Sequence, residues 1–250
     1  MADAGDYRLL DCLGYVETKG RNDDEETDVD CFDTCSLSAI PSLRTRFSLA
    51  RQLANALYQL QCSNWLHRNL SSHQTVFFRD RDSGALRLDA PYLIGFQYSR
   101  PDDNKRRPMK VISSEGISRD TDCPELYLPA EFSTAEPRRY RRSDDVYSLG
   151  VVLLEIAYWE PVRAFHEEYS TTQETACKLL EMAATQMPSE VGELYSDAVV
   201  RCLRGLRLTA SGLDGEARSY DGTYRGEDPE FGLEVDFLWK VLREIEKCRV

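Results

Sequence analysis

From Phe47 to Gln61 the apolar residues Phe47, Ala50, Leu53, Ala54, Leu57 and Leu60 recur at three- and four-residue intervals. That spacing puts them on one face and predicts an amphipathic helix. The segment Val146–Tyr158 is patterned differently. Val146, Leu149, Val151, Val152, Leu153, Leu154, Ile156 and Ala157 leave almost no polar side, which predicts a helix buried all round. Ser143-Asp144-Asp145 just ahead of it supply N-cap chemistry. Three further helical patterns span Thr172–Met187, Val191–Leu203 and Val235–Cys248, the last with Leu238, Val241, Leu242 and Ile245 on one face.

Strand signals are shorter. Residues 7–18 read as one or two strands. Thr75–Phe78 and Leu86–Leu88 read as a hairpin around Asp82-Ser83-Gly84, followed by a third apolar piece, Tyr92–Phe96. Between the elements lie an acidic stretch at 20–30, a proline-punctuated polar segment at 99–125 and a Gly-rich charged segment at 205–226. All three are expected to be surface loops. The expected whole is α+β, mainly α with a small β-hairpin, divided into residues 1–46 (a strand segment and acidic loop) and a helical domain over 47–250.

Composition narrows the function classes. A formal charge of -12 opposes general attraction to nucleic acid or anionic membrane, so neither is expected as a partner. No apolar run approaches the roughly 20 residues that span a bilayer. The first residues carry no secretory signal or Arg-rich transit pattern. The eight cysteines are scattered; only Cys31 and Cys35 are close, and no second Cys or His pair follows at zinc-ligand spacing. A reduced intracellular, cytoplasmic protein with no bound metal is the expectation. The run at 20–30 lacks the alternating layout of a calcium loop.

The segment Trp65-Leu66-His67-Arg68-Asn69-Leu70-Ser71-Ser72-His73-Gln74-Thr75-Val76 carries the candidate chemistry. It resembles the catalytic loop of protein kinases, His-Arg-Asp-Leu-x-x-x-Asn, with Asn69 in the Asp slot and Gln74 in the Asn slot. Further matches follow in order: Thr75-Val76-Phe77-Phe78 as the next strand, and Leu93-Ile94-Gly95-Phe96-Gln97 in place of the Asp-Phe-Gly segment. Tyr127-Leu128-Pro129-Ala130-Glu131 stands near the place of Ala-Pro-Glu. Ser143-Asp144-Asp145-Val146-Tyr147-Ser148-Leu149-Gly150 matches the start of the buried helix that anchors the lobe. From about Phe47 to Leu203 the order of elements resembles the large C-terminal lobe of a protein kinase. Within that superfamily the chain is similar to the divergent kinase-like domain of filamentous fungi found with prion-inhibition and incompatibility proteins.

The resemblance implies structural roles for several residues. Asp145 would bind the backbone of the His67-Arg68 loop, His67 would stack on Phe96, and Glu131 would pair with a late arginine. The family pattern places that arginine at Ala210, leaving Arg204 or Arg207 as substitutes. It also implies lost chemistry. Asn69 cannot take a proton, Gln74 is a poor magnesium ligand, and Gly95 has no side chain to bridge metal and phosphate. Removing one such preorganised group typically costs about a hundred- to a thousandfold in rate. Residues 1–46 contain no Gly-rich phosphate loop, and Lys19 is their only lysine. Tyr7–Glu17 is better matched to the strand leading into the kinase hinge.

The expected function is a catalytically inactive pseudokinase-type module that works through a protein partner, by family resemblance in fungal self/non-self signalling, without cofactor. The alternative is an active or weakly active Ser/Thr kinase, using ATP and magnesium, whose small lobe is supplied elsewhere. Two basic clusters complete the inventory, Lys105-Arg106-Arg107 and Arg138-Arg139-Tyr140-Arg141-Arg142. Solvated charge is the plainer reading of both. The sharper one makes Arg138, Arg139, Arg141 and Arg142 a docking patch for an acidic or phosphorylated partner. His73 reads as a loop bystander, and Ser143 and Ser148 lack the elbow a hydrolase nucleophile needs.

Overall fold

A computed structural model describes residues 29–31, 40–80, 82–102, 123–133, 138–166, 170–206 and 232–249. The described chain is mostly helical, with two small antiparallel sheets. Helix α1 (Leu43–Cys62) starts four residues ahead of the first apolar position in its pattern. The reason is Ser42, whose Oγ accepts the Thr45 N–H at 3.3 Å and satisfies one of the free donors of the first turn. The division drawn after residue 46 therefore falls inside a helix. Phe47, Ala50, Leu53, Ala54 and Leu57 are buried as their spacing implies.

Helix α2 (Arg142–Tyr158) is the centre of the core, with every residue from Ser143 to Ala157 buried. Ser143, Asp144 and Asp145 lie within its first turn rather than ahead of it. The cap is made backward: the Asp144 carboxylate accepts the Arg141 N–H at 2.7 Å. Helix α5 (Glu193–Leu203) crosses α2 closely, because Gly150 presents no side chain at the crossing. A Cβ there would stand 2.7 Å from Cys202 Cβ and 3.1 Å from the Leu203 nitrogen. The Tyr195 hydroxyl donates to the Leu153 carbonyl at 2.9 Å, joining the two helices again.

Three expected helices change shape. Thr172–Met187 becomes α3 (Thr172–Thr185) and a separate short α4 (Met187–Val191), because Pro188 cannot continue a helix but fits the first turn of the next. Val191–Leu203 loses its first two residues to Gly192, whose φ of +87° only glycine adopts readily. The C-terminal pattern forms α6 (Leu233–Phe237) and α7 (Arg243–Lys247), joined through a π turn at Leu238–Leu242. A π turn frees carbonyls, and Arg201 on α5 donates to that of Lys240 at 2.9 Å.

The strands number β1 (Val29–Cys31), β2 (Trp65–Leu66), β3 (Thr75–Phe78), β4 (Tyr92–Leu93) and β5 (Arg100–Pro101). The hairpin around Asp82-Ser83-Gly84 is present but short: the Asp80 N–H donates to the Ala85 carbonyl at 2.8 Å and the Arg87 N–H to the Phe78 carbonyl at 3.0 Å. β3 lies between β1 and β4, with Val29 opposite Phe78 and Thr75 opposite Leu93, while Leu86–Leu88 forms no strand of its own and meets the end of β3 through the Arg79–Leu86 bridge and the Arg87 hydrogen bond. β2 pairs with β5, so the first residues of the 99–125 loop are sheet and Pro124–Tyr127 is a 3-10 turn. Residues 103–122, 7–18 and 207–226, with the strands and loops expected of them, lie outside the described residues. So does most of 20–30, of which Val29 and Asp30 are strand rather than loop. No helix among the described residues is long and apolar enough to cross a membrane.

One acidic side chain inside α2 was not singled out by its pattern. Glu155 is fully buried, and its Oε1 accepts from the Tyr127 hydroxyl and the Val162 N–H, each at 2.7 Å. It thereby ties the 3-10 turns at 124–127 and 162–165 to the central helix. Its Oε2 finds no partner among the described residues. Burial pushes the carboxyl up to about 7, against the two hydrogen bonds that stabilise its charged form. The folded protein thus holds a proton that the unfolded chain releases near its ordinary value of 4.5. The stabilisation is complete below that value and is lost as pH rises through 7. His67 has the opposite sign: burial lowers it from 6.5 to about 4, so its stabilisation is complete above 6.5 and is lost on acidification. Comparison with Glu155→Gln isolates the carboxyl. In urea titrations the stability of the native chain relative to this variant should decline from about pH 5 to about pH 7 and then level off. A difference independent of pH would contradict the assignment.

Candidate functional site

The loop after α1 is shaped by left-handed residues. Asn64 (φ +61°) reverses the chain beyond the helix end, and Arg68 (φ +69°) turns it again inside the loop. For a residue with a Cβ this region costs about 1–2 kcal/mol, so Arg68 needs compensating contacts. They come from Asp145 in the first turn of α2. Its Oδ2 accepts the His67 N–H at 2.8 Å, and its Oδ1 accepts the Arg68 N–H at 2.9 Å and the Tyr140 hydroxyl at 2.7 Å. Burial lifts this carboxyl up to about 7, against the Tyr140, Arg68 and His67 hydrogen bonds.

Both nitrogens of His67 are occupied. Nε2 lies 2.9 Å from the Ile94 carbonyl and must donate to it, while Nδ1 accepts the Asn69 N–H at 3.3 Å. This fixes the neutral tautomer. The ring stands edge-on to Phe96 with centroids 4.8 Å apart, and the Ser99 hydroxyl donates to the His67 carbonyl at 3.2 Å. The contacts expected of Asp145, His67 and Phe96 are therefore present. Every polar group of His67 points into the fold, which leaves it no free lone pair to act as a base.

Gln74 and Gly95 are adjacent across the strand pair, with the Ile94 N–H donating to the Gln74 carbonyl at 2.8 Å. Gly95 has φ +88°, and a Cβ placed on it would collide with Gln74 Oε1 and lie 2.8 Å from Gln74 Cδ. The carboxamide of one residue thus fills the space that a side chain at the other would take. Asn69 is half-buried in the loop and contributes its backbone N–H to His67. Gln74 and Gly95 thus come together, and neither of them nor Asn69 carries a carboxylate. Among the described residues no three His, Cys, Asp or Glu side chains are grouped so as to hold a metal ion.

The arginine patch is corrected by its partners. Arg138 makes a two-pronged pair with Asp144 at 2.9 and 2.7 Å and lies 3.8 Å over the Phe132 ring. Arg139 and Arg142 bind Asp102 at 2.5 and 2.8 Å, and Arg142 also donates to Asn64 Oδ1 at 2.5 Å. These pairs fasten the end of α1 and β5 to the start of α2. Three of the four arginines are fold ties, and only Arg141 among them makes no side-chain ion pair among the described residues. Sequence reading missed Tyr140, Asp102 and Glu155. A carboxylate amid the apolar run Val151–Ile156 was the one available signal.

Glu131 is exposed on a 3-10 turn and lines a cavity with Arg141 and Arg204, whereas Arg207 and Ala210 lie outside the described residues. His73 packs edge-on near Tyr127, with centroids 6.4 Å apart. Ser148 is buried, donating within hydrogen-bond range of the Tyr127 and Asp144 carbonyls at 2.7 and 2.9 Å. Lys19, Cys35 and Lys105-Arg106-Arg107 fall outside the described residues.

The fold and the loop define an α+β domain in which a buried aspartate on the central helix holds a histidine-bearing loop. The chain belongs to the family described as a domain of unknown function, DUF7580, whose model matches residues 18–227. None of the curated proteins matches it.

The collision at Gly95 yields a test. Gly95→Asp should destabilise the protein by about 1–2 kcal/mol through left-handed strain, with the flexible Gln74 side chain swinging aside to make room. Adding Gln74→Ala should leave that cost largely in place, because the strain lies in the backbone at residue 95. Denaturant titration of both variants checks it, and full tolerance of the single substitution would overturn the left-handed conformation of residue 95.

Proposed function

We propose that this chain is a non-catalytic module resembling the large lobe of a protein kinase, acting through contacts with a protein partner. The observation that carries this reading is the mutual filling of Gln74 and Gly95. Phosphoryl transfer depends on charge and position, with carboxylates holding magnesium and receiving the substrate proton. Here the corresponding positions present two neutral carboxamides and a glycine. A carboxylate at residue 95 would need the space Gln74 already occupies. The groups kept around them have structural work: Asp145 on the loop backbone, His67 on Ile94 and Phe96. That division between retained anchors and lost charges supports a scaffold over an enzyme. By the same resemblance, the setting we infer is fungal self/non-self signalling, in the cytoplasm and without nucleotide.

The test is a thermal-shift titration of the purified chain with ATP and magnesium. No concentration-dependent change in Tm is expected, because a ligand stabilises only the state it binds. A saturable rise of several degrees would favour a nucleotide-binding kinase whose small lobe is supplied elsewhere.

A further inference from the structure

A cavity of about 310 Å³ opens between the 3-10 turn at 130–133, the first turns of α2, the outer face of α3 and the end of α5. Its charged lining consists of Arg138, Arg141 and Arg204 with Glu131 and Asp144. Asp144 is already neutralised by the two-pronged pair with Arg138. Among the described residues the side chains of Arg141 and Arg204 make no ion pair. Three arginines against two carboxylates leave one net positive charge, in a chain whose total is -12. The remaining wall includes Pro129, Ala130, Leu180 and Leu203, so apolar surface flanks the guanidinium groups.

We propose that this cavity receives a carboxylate-bearing segment of a partner protein, an Asp or Glu side chain with apolar neighbours. The inference rests on the reading of the chain as a protein-contact module and names where the contact is made. The charge excess matches a single carboxylate. Glu131 on the rim disfavours a free dianion such as phosphate, and the apolar wall gives an inorganic ion nothing to bury. A peptide side chain buries its methylenes on Leu180 and Leu203 and offers its oxygens to the arginine forks, which bind planar carboxylates well. The volume falls at the small end of ligand pockets and fits one or two side chains.

Cys177 lines the same cavity and is an exposed free thiol, with Gln173 Nε2 3.5 Å from its sulfur. It makes the site readable in the full chain without knowledge of the partner. Alkylation is followed residue by residue by mass spectrometry with neutral iodoacetamide and anionic iodoacetate, and exposed Cys62 at the end of α1 serves as the internal reference. At low ionic strength the iodoacetate-to-iodoacetamide rate ratio at Cys177 should exceed that at Cys62 by about three- to tenfold, the effect of a local potential of one to a few kT. The double variant Arg141→Gln, Arg204→Gln should bring the two ratios together. A short oligoglutamate should then slow iodoacetamide alkylation of Cys177 in the native chain but not in the double variant, and inorganic phosphate at matched charge should slow it far less. Equal ratios at the two thiols, no protection by oligoglutamate, or equal protection by phosphate would each overturn the proposal. Stabilisation by ATP and magnesium would count against the non-catalytic reading while leaving these ratios unchanged, so the two failures are distinguishable.

Discussion

The carboxylate of Asp145 is the point on which the rest of the structure depends. It sits in the first turn of a helix buried on every side and receives two backbone N–H groups from a loop nearly eighty residues earlier in sequence. A hydrogen bond to a charged group is worth about 1.5–3 kcal/mol net, and a buried donor left without one costs a comparable amount. Without Asp145, the His67 and Arg68 N–H groups would be stranded inside the protein. The left-handed turn at Arg68 would also lose its support. The loop leads directly into β3, and His67 reaches across to Ile94 beyond β4. One side chain therefore fixes the sheet, the loop and the central helix relative to each other.

Around this anchor the protein uses polar groups as ties between distant segments. Glu155 joins two 3-10 turns to α2, Asp102 collects Arg139 and Arg142, and Asp144 holds Arg138. Each carboxylate is largely enclosed, and each has hydrogen-bonding partners fixed by helix or turn geometry. Such pairs add little when exposed, but breaking one that is buried is costly. The core supplies most of the stability through α1, α2 and α5, and the polar ties determine how the irregular segments sit on it.

The helices were legible in the sequence because their apolar positions recur at helical spacing; Phe47 to Leu57 and Val146 to Ala157 are buried as that spacing requires. The breaks at Pro188 and Gly192 were visible as residues, but the periodicity ran through them and hid the boundaries. The order of strands was not legible. β3 is too short to name its partners, and its neighbours proved to be Val29–Cys31 and Tyr92–Leu93. At the site, the relation of Asp145 to the His67 loop followed from motif order. The filling of Gly95 by Gln74 did not, since it depends on side chains meeting across two strands. Arg139 and Arg142 read as surface charge because their partner, Asp102, lies far off in sequence.

The His67 loop is thus a fold determinant held by Asp145. The most direct measurement is native-state hydrogen exchange of the His67 and Arg68 backbone amides. If both are locked onto Asp145, they should exchange only through global unfolding, with protection matching the stability of the α2 core. Exchange at the rate of a solvent-exposed amide without a hydrogen bond, in a protein that remains folded, would contradict this.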